Sequence, residues 1–188
     1  MLEKPPIDDQ AILDCVQRSY RMQVRQLTFL PLGADVNTAV YRVEAQDGKA
    51  YFLKLRKGGF ADITVTVPQF LHTLGIEAII PPLCTQAGLF WAMLGADHLI
   101  LYPFMEGKNG YETALSDRQW LEFGAALRAI HTAKIPTRLK QRIPCETFSS
   151  QTRELVRTFQ AQAETSTYGE PTAAKTAALM RGMKGKIH

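Results

Sequence analysis

Four places in the sequence hold residues whose types and spacing suit one chemistry, the holding of a polyphosphate beside a flat apolar ring. In LPLGADVNTAVYRV, Gly33 ends one apolar run, and Asp35, Asn37 and Thr38 lie across the turn to the next. A glycine in such a turn lets backbone N–H groups approach phosphate oxygens; a plain hairpin connection uses the same residues. Lys54 stands in YFLKLR between Leu53 and Leu55. In a strand it shares a face with Phe52, and its ammonium must either snorkel to water or meet an anion. Asp62 is the only acid between Asp47 and Glu77, and suits either a partner for Lys54 or the N-cap of a helix. The run LILYPFMEG meets Pro103, which has no N–H, and continues through Phe104, Met105, Glu106 and Gly107. A strand leaving a sheet in this way offers backbone groups to the edge of a purine, and an ordinary strand end reads the same.

The elements that must position these residues follow from periodicity. Residues 8–20 begin with acids suited to a helix N-terminus and carry Ile12, Leu13, Val16 and Tyr20 at helical spacing. Strands are expected at 24–32, 38–46 and 50–56, the last two joined by Asp47-Gly48, a strong hairpin signal. The start of the chain is therefore an antiparallel sheet and not a parallel βαβ unit. Residues 60–74 mix alternation with helical spacing and contain Pro68; a helix ending at Gly75 is expected. Further strands are expected at 88–94 and 97–104, and a helix at 116–131 with Ser116 as N-cap and Trp120, Phe123, Leu127 and Ile130 as its apolar stripe. Two more helices read at 147–163 and 172–187. The fold class is α+β, with a sheet-bearing region over 1–104, a linker over 105–115 and a helical region over 116–188.

Composition narrows the classes. The chain has 188 residues, 46% hydrophobic and 21% charged, enough for a buried core without disulfides or a structural metal. No stretch approaches about 18 apolar residues free of charge, and MLEKPPIDDQ has no apolar core region, so a cytoplasmic protein without a membrane partner is expected. Net charge is +4, with −2 over residues 1–133 and +6 over 134–188. The basic final third carries only Phe148, Phe159 and Tyr168 as aromatics, too few for base stacking, and no nucleic-acid partner is expected. Cys15, Cys84 and Cys145 are far apart and read as reduced, mostly packing residues. The histidines (72, 98, 131 and 188) lack zinc-ligand spacing, so no metal site is expected.

The order sheet, helix, sheet, short linker, helices is the layout of a kinase-like small lobe. GADVNTAVY (33–41), YFLKLRKGGF (51–60), FLHTLGIEAIIPP (70–82), LYPFMEGKNGY (101–111) and QWLEFGAALRAIH (119–131) together resemble the aminoglycoside phosphotransferase family, relatives of the choline kinases. The resemblance runs along the chain and fades after about residue 165. It implies a kinase-like small lobe, with a five-stranded antiparallel sheet, an N-terminal helix and one packed helix, followed by the helices of an incomplete large lobe. It implies ATP as the nucleotide, with Mg²⁺ in the full-length family, an aminoglycoside or aminocyclitol substrate, and a part in antibiotic resistance. Residue by residue, it assigns Lys54 to the α- and β-phosphates and Asp62 to the acidic partner of that lysine, where the family more often has Glu. It makes Gly33, Asp35, Asn37 and Thr38 the phosphate-covering loop, and gives the carbonyl of Pro103 and the N–H of Met105 to the adenine edge. Glu106 and Glu112 are the nearest acids for a cationic substrate, but a solvated-loop role is the preferred reading of both.

The family's catalytic loop, H-x-D-x-x-x-x-N, and its following metal-binding D-x-D/E segment have no counterpart here. No histidine is followed two residues later by Asp, the only asparagines are Asn37 and Asn109, and no aspartate follows Asp117. No catalytic residue is therefore assigned, and this chain is expected to be inactive by itself. A chain cut there would expose the apolar sides of helices 147–163 and 172–187, so self-association is a second expectation.

Overall fold

The structure, a computed structural model, describes residues 3–33, 35–108, 110, 112–147 and 149–183. Helix α1 (Asp9–Tyr20) begins where Asp8 accepts the N–H of Gln10, and ends at Arg21 in the left-handed conformation. Strands β1 (Val24–Leu30), β2 (Thr38–Ala45) and β3 (Ala50–Arg56) follow as an antiparallel meander. Pro31 stops β1 two residues before the expected end, because it has no N–H to give to a ladder. The turn at Asp47-Gly48 closes as expected, with Gly48 at φ 82° and its N–H on the Ala45 carbonyl.

Helix α2 (Ile63–Thr73) starts three residues later than expected and tolerates Pro68 in its second turn. Strand β4 is only Ala92–Leu94, where 88–94 was expected. The missing residues spend their hydrogen bonds locally: Thr85 N–H donates to the Leu89 carbonyl, Gly88 N–H to the Thr85 carbonyl, and Leu89 N–H to Thr85 Oγ1. Strand β5 (Asp97–Pro103) completes a sheet of order β1-β2-β3-β5-β4. One face packs on α1: Ile12 and Val16 of the helix meet Tyr41, Leu53, Leu55 and Leu99, all fully buried. Each such side chain contributes roughly 1.5–3 kcal/mol on burial, and this cluster fixes which residues of β2, β3 and β5 point the other way.

Helix α3 (Asp117–Thr132) has the expected cap in full: Ser116 Oγ accepts from Gln119 N–H, and the Gln119 side chain returns to Ser116 N–H. Its apolar stripe does not enter a core, for none of its residues is buried and Trp120 and Phe123 contact each other edge to face. A single turn, α4 (Thr137–Lys140), follows without having been expected. These elements belong to one compact unit that ends at Ile143; a second begins at Pro144. The second holds α5 (Gln151–Thr165) and α6 (Pro171–Gly182), which pack together, with Ala163 and Ala177 the buried residue of each. Helix α6 starts with Pro171 at its first position and Glu170 accepting the N–H groups of Thr172 and Ala173. Phe148 and the expected end of the last helix at 184–187 lie outside the described residues, as does His188. Of the cysteines only Cys15 packs in the core; Cys84 and Cys145 are exposed, against expectation, because both sit in loops outside the sheet.

Candidate functional site

Strand parity builds the site. With Tyr41, Leu53, Leu55 and Leu99 turned toward α1, the opposite face carries three cross-strand rows set by register. These are Thr38–Arg56–His98, Val40–Lys54–Ile100 and Arg42–Phe52–Tyr102, each running from β2 through β3 to β5. Lys54 is the middle of the middle row, between Val40 (6% exposed) and Ile100 (2% exposed). Its stem is therefore walled by apolar groups, and Lys54 forms no ion pair with any described residue. A cavity of about 240 Å³ opens over this face, lined by Leu32, Gly33, Asp35, Thr38, Val40, Phe52 and Lys54. The structure thus brings together Gly33, Asp35, Thr38 and Lys54. The flanking Leu32, Val40 and Phe52 were not singled out from the sequence, although the alternation that marks Lys54 marks Val40 and Phe52 with it.

The turn over the cavity is built around Asp35. Its carboxylate accepts Asn37 N–H at 2.9 Å, Thr38 Oγ1–H at 2.8 Å and Arg56 Nη1–H at 2.8 Å. Those donors, the Asn37 amide first and the Thr38 hydroxyl next, hold the Asp35 carboxyl below its ordinary pKa range. Asn37 contributes its carbonyl to Lys57 N–H at 2.8 Å and does not line the cavity. In this state Asp35 and Asn37 shape the turn, while Gly33, at φ 90°, supplies a left-handed position that other residues adopt only with strain. An added Cβ there would meet open space, so conformation and not crowding requires the glycine. Ala34 lies outside the described residues.

Asp62 stands at the N-cap of α2 without making a side-chain capping bond. Its carboxylate is taken by the guanidinium of Arg142, just past α4, and Lys54 does not pair with it here. Sequence reasoning had no means to find this pair, whose members are 80 residues apart.

The strand exit supplies a free backbone edge. Phe104 N–H donates to the Ala50 carbonyl at 3.1 Å, which makes Tyr51–Pro103 a pair without mutual hydrogen bonds and turns the Pro103 carbonyl away from β3. Leu101 presents the same edge, and there its carbonyl accepts Leu83 N–H at 2.7 Å. Beyond the end of β4, the Pro103 carbonyl and Met105 N–H have no backbone partner among the described residues. Glu106 stays exposed, as the solvated-loop reading expects, and also accepts from Arg42 Nη1 at 2.8 Å. Among the described residues no group of three His, Cys, Asp or Glu side chains is placed to hold a metal ion, and no helix is long and apolar enough to cross a membrane.

A meander sheet with an apolar-walled lysine, a glycine turn above it and an unpaired strand exit defines a kinase-like small lobe, and the chain has the fold of the aminoglycoside phosphotransferases. Spectinomycin phosphotransferase APH(9)-Ia, solved with ADP and spectinomycin, is similar at 29% identity and TM-score 0.88, over 96% of this chain and 55% of that one. Its AMP-bound complex matches at 27% identity and TM-score 0.83 over the same shares. An aminoglycoside phosphotransferase from Alicyclobacillus acidocaldarius shares the fold at 14% identity and TM-score 0.58, over 98% of this chain and 52% of that one. This chain spans about half the length of these proteins. No protein-family model and no curated protein matches it.

Proposed function

We propose that this chain supplies the ATP-binding half of a phosphotransferase acting on aminoglycoside or aminocyclitol antibiotics of the spectinomycin type, and so serves antibiotic resistance. The observation that carries the reading is Lys54, unpaired among the described residues at the centre of an apolar-walled face beneath a glycine turn. In this reading Lys54 holds the α- and β-phosphates, and Gly33 to Thr38 close over them. The Pro103 carbonyl and Met105 N–H take the adenine edge. Asp62 becomes the partner of Lys54 by leaving Arg142 when phosphate is bound. The sequence has no counterpart of the H-x-D-x-x-x-x-N and D-x-D/E patterns that would supply the base and the Mg²⁺ ligands, and no aspartate follows Asp117. By itself the chain therefore binds nucleotide and does not transfer phosphate. A calorimetric titration with a non-hydrolysable ATP analogue tests the first statement, and an absence of saturable heat would remove it. Incubation with MgATP and spectinomycin tests the second, where stoichiometric drug phosphate would refute it.

A second reading, a nucleotide-binding module that works by self-association, is favoured by the exposed apolar side chains of α3, where Leu121 is 76% and Trp120 57% exposed. A mass by light scattering that rises with concentration supports it, and a constant monomer mass removes it.

A further inference from the structure

The segment that leaves β5 is tied to β2, a strand that is not its neighbour. Arg42 extends from β2 across β3, and its guanidinium carbon lies 4.3 Å from the ring centroid of Phe104. Arg42 Nη1 donates to Glu106 Oε1 at 2.8 Å and Nε to Glu44 Oε1 at 3.3 Å, while Glu44 also receives Arg25 from β1 at 2.6 Å. Phe52 stands opposite Arg42 in the β2–β3 register, and Ala50, opposite Glu44, accepts the Phe104 N–H. Arg42 therefore grips the residue before Met105 through its ring and the residue after it through its carboxylate. Two contacts of different kinds on either side of one peptide fix its plane, as a stacked and hydrogen-bonded guanidinium does and an ammonium cannot.

We propose that Arg42 is the positioning residue for base recognition: it holds residues 104–106 so that the Met105 N–H and the Pro103 carbonyl stand preset for the edge of an adenine. This rests on the nucleotide reading above. Arg42 touches no part of the 240 Å³ cavity beneath the glycine turn, so its effect falls on the base end of a ligand and not on the phosphate end. Without it, the segment must be ordered when the base arrives, and the ordering of one backbone residue weakens binding about tenfold.

The test uses the full chain and three ligands: a non-hydrolysable ATP analogue, adenosine and inorganic triphosphate. Arg42→Ala is expected to raise the Kd of the first two about tenfold and to leave triphosphate within about twofold, with Arg42→Lys intermediate. Without ligand, the Phe104 amide, bonded to Ala50, is expected to exchange about tenfold faster in Arg42→Ala, while amides of the β2–β3 ladder keep their rates. An unchanged Kd for the ATP analogue, or an equal loss for triphosphate, overturns the role even where the wild type binds all three. Unchanged Phe104 exchange overturns it without reference to nucleotide. A wild-type chain that binds none of the ligands defeats the nucleotide reading and the positioning role together, and is thereby told apart from a failure of Arg42 alone.

Discussion

Lys54→Met isolates the charge at the centre of the site. Methionine keeps an unbranched stem between Val40 and Ile100, so the packing of that row is conserved and the fold should lose no more than about 0.5 kcal/mol. What disappears is the ammonium. At about 4 Å from a phosphate oxygen, with an effective dielectric of about 20, the bare attraction is about 4 kcal/mol. Desolvation of both charges offsets part of this, and a charge-assisted hydrogen bond is left with about 1.5–3 kcal/mol. The wall of buried Val40 and Ile100 places Lys54 toward the upper part of that range. The expected result is therefore a Kd for a non-hydrolysable ATP analogue raised by about ten- to a hundredfold or more. Calorimetric titration at two ionic strengths is the assay, with a thermal melt of each protein beside it. The wild-type affinity should fall with added salt, and that of Lys54→Met should fall less. Binding by Lys54→Met within twofold of the wild type, with an unchanged melting temperature, would refute the argument that this lysine holds phosphate.

Leu55→Ala removes a fully buried side chain between α1 and the sheet, and should cost about 2–5 kcal/mol in a denaturant melt. Gly33→Ala keeps its space but must adopt φ 90°; about 1–2 kcal/mol of strain is expected, read as weaker ATP-analogue binding with the core unaltered. Acid titration should release the 35–38 turn. The Asp35 carboxyl has a lowered folded pKa, so its contribution is complete above the ordinary Asp pKa and is lost as pH falls through the lowered value; the Asn37 amide signal in NMR follows it. At the alkaline end, burial first and the Asp9 charge second push the Tyr41 phenol up to about 12. The unfolded chain then loses its tyrosine proton before the folded one does, so stability falls as pH rises past about 10, which alkaline melts with and without Tyr41→Phe would show.

Local chemistry alone settles much of this molecule. Asp47-Gly48 closes its hairpin because the turn needs a positive φ that glycine supplies. Ser116 and Gln119 cap α3 with each other, three residues apart. Alternation in YFLKLR puts Lys54 and Phe52 on the same side, and the resemblance of several short stretches in order points to the kinase-like fold before any coordinates. Each of these signals lies within a few residues of its cause. Long-range pairing is different, because no periodicity records which strand lies beside which. Only the assembled sheet inserts β5 between β3 and β4 and makes Val40 and Ile100 the walls of Lys54. Only tertiary structure gives Asp62 to Arg142 rather than to Lys54, shortens β4 by closing residues 85–89 on themselves, and leaves the stripe of α3 in solvent. Arg42 shows the division most clearly. In the sequence it is one polar residue of an alternating strand, and its grip on Phe104 and Glu106 exists because folding sets β2 and the exit of β5 on either side of β3.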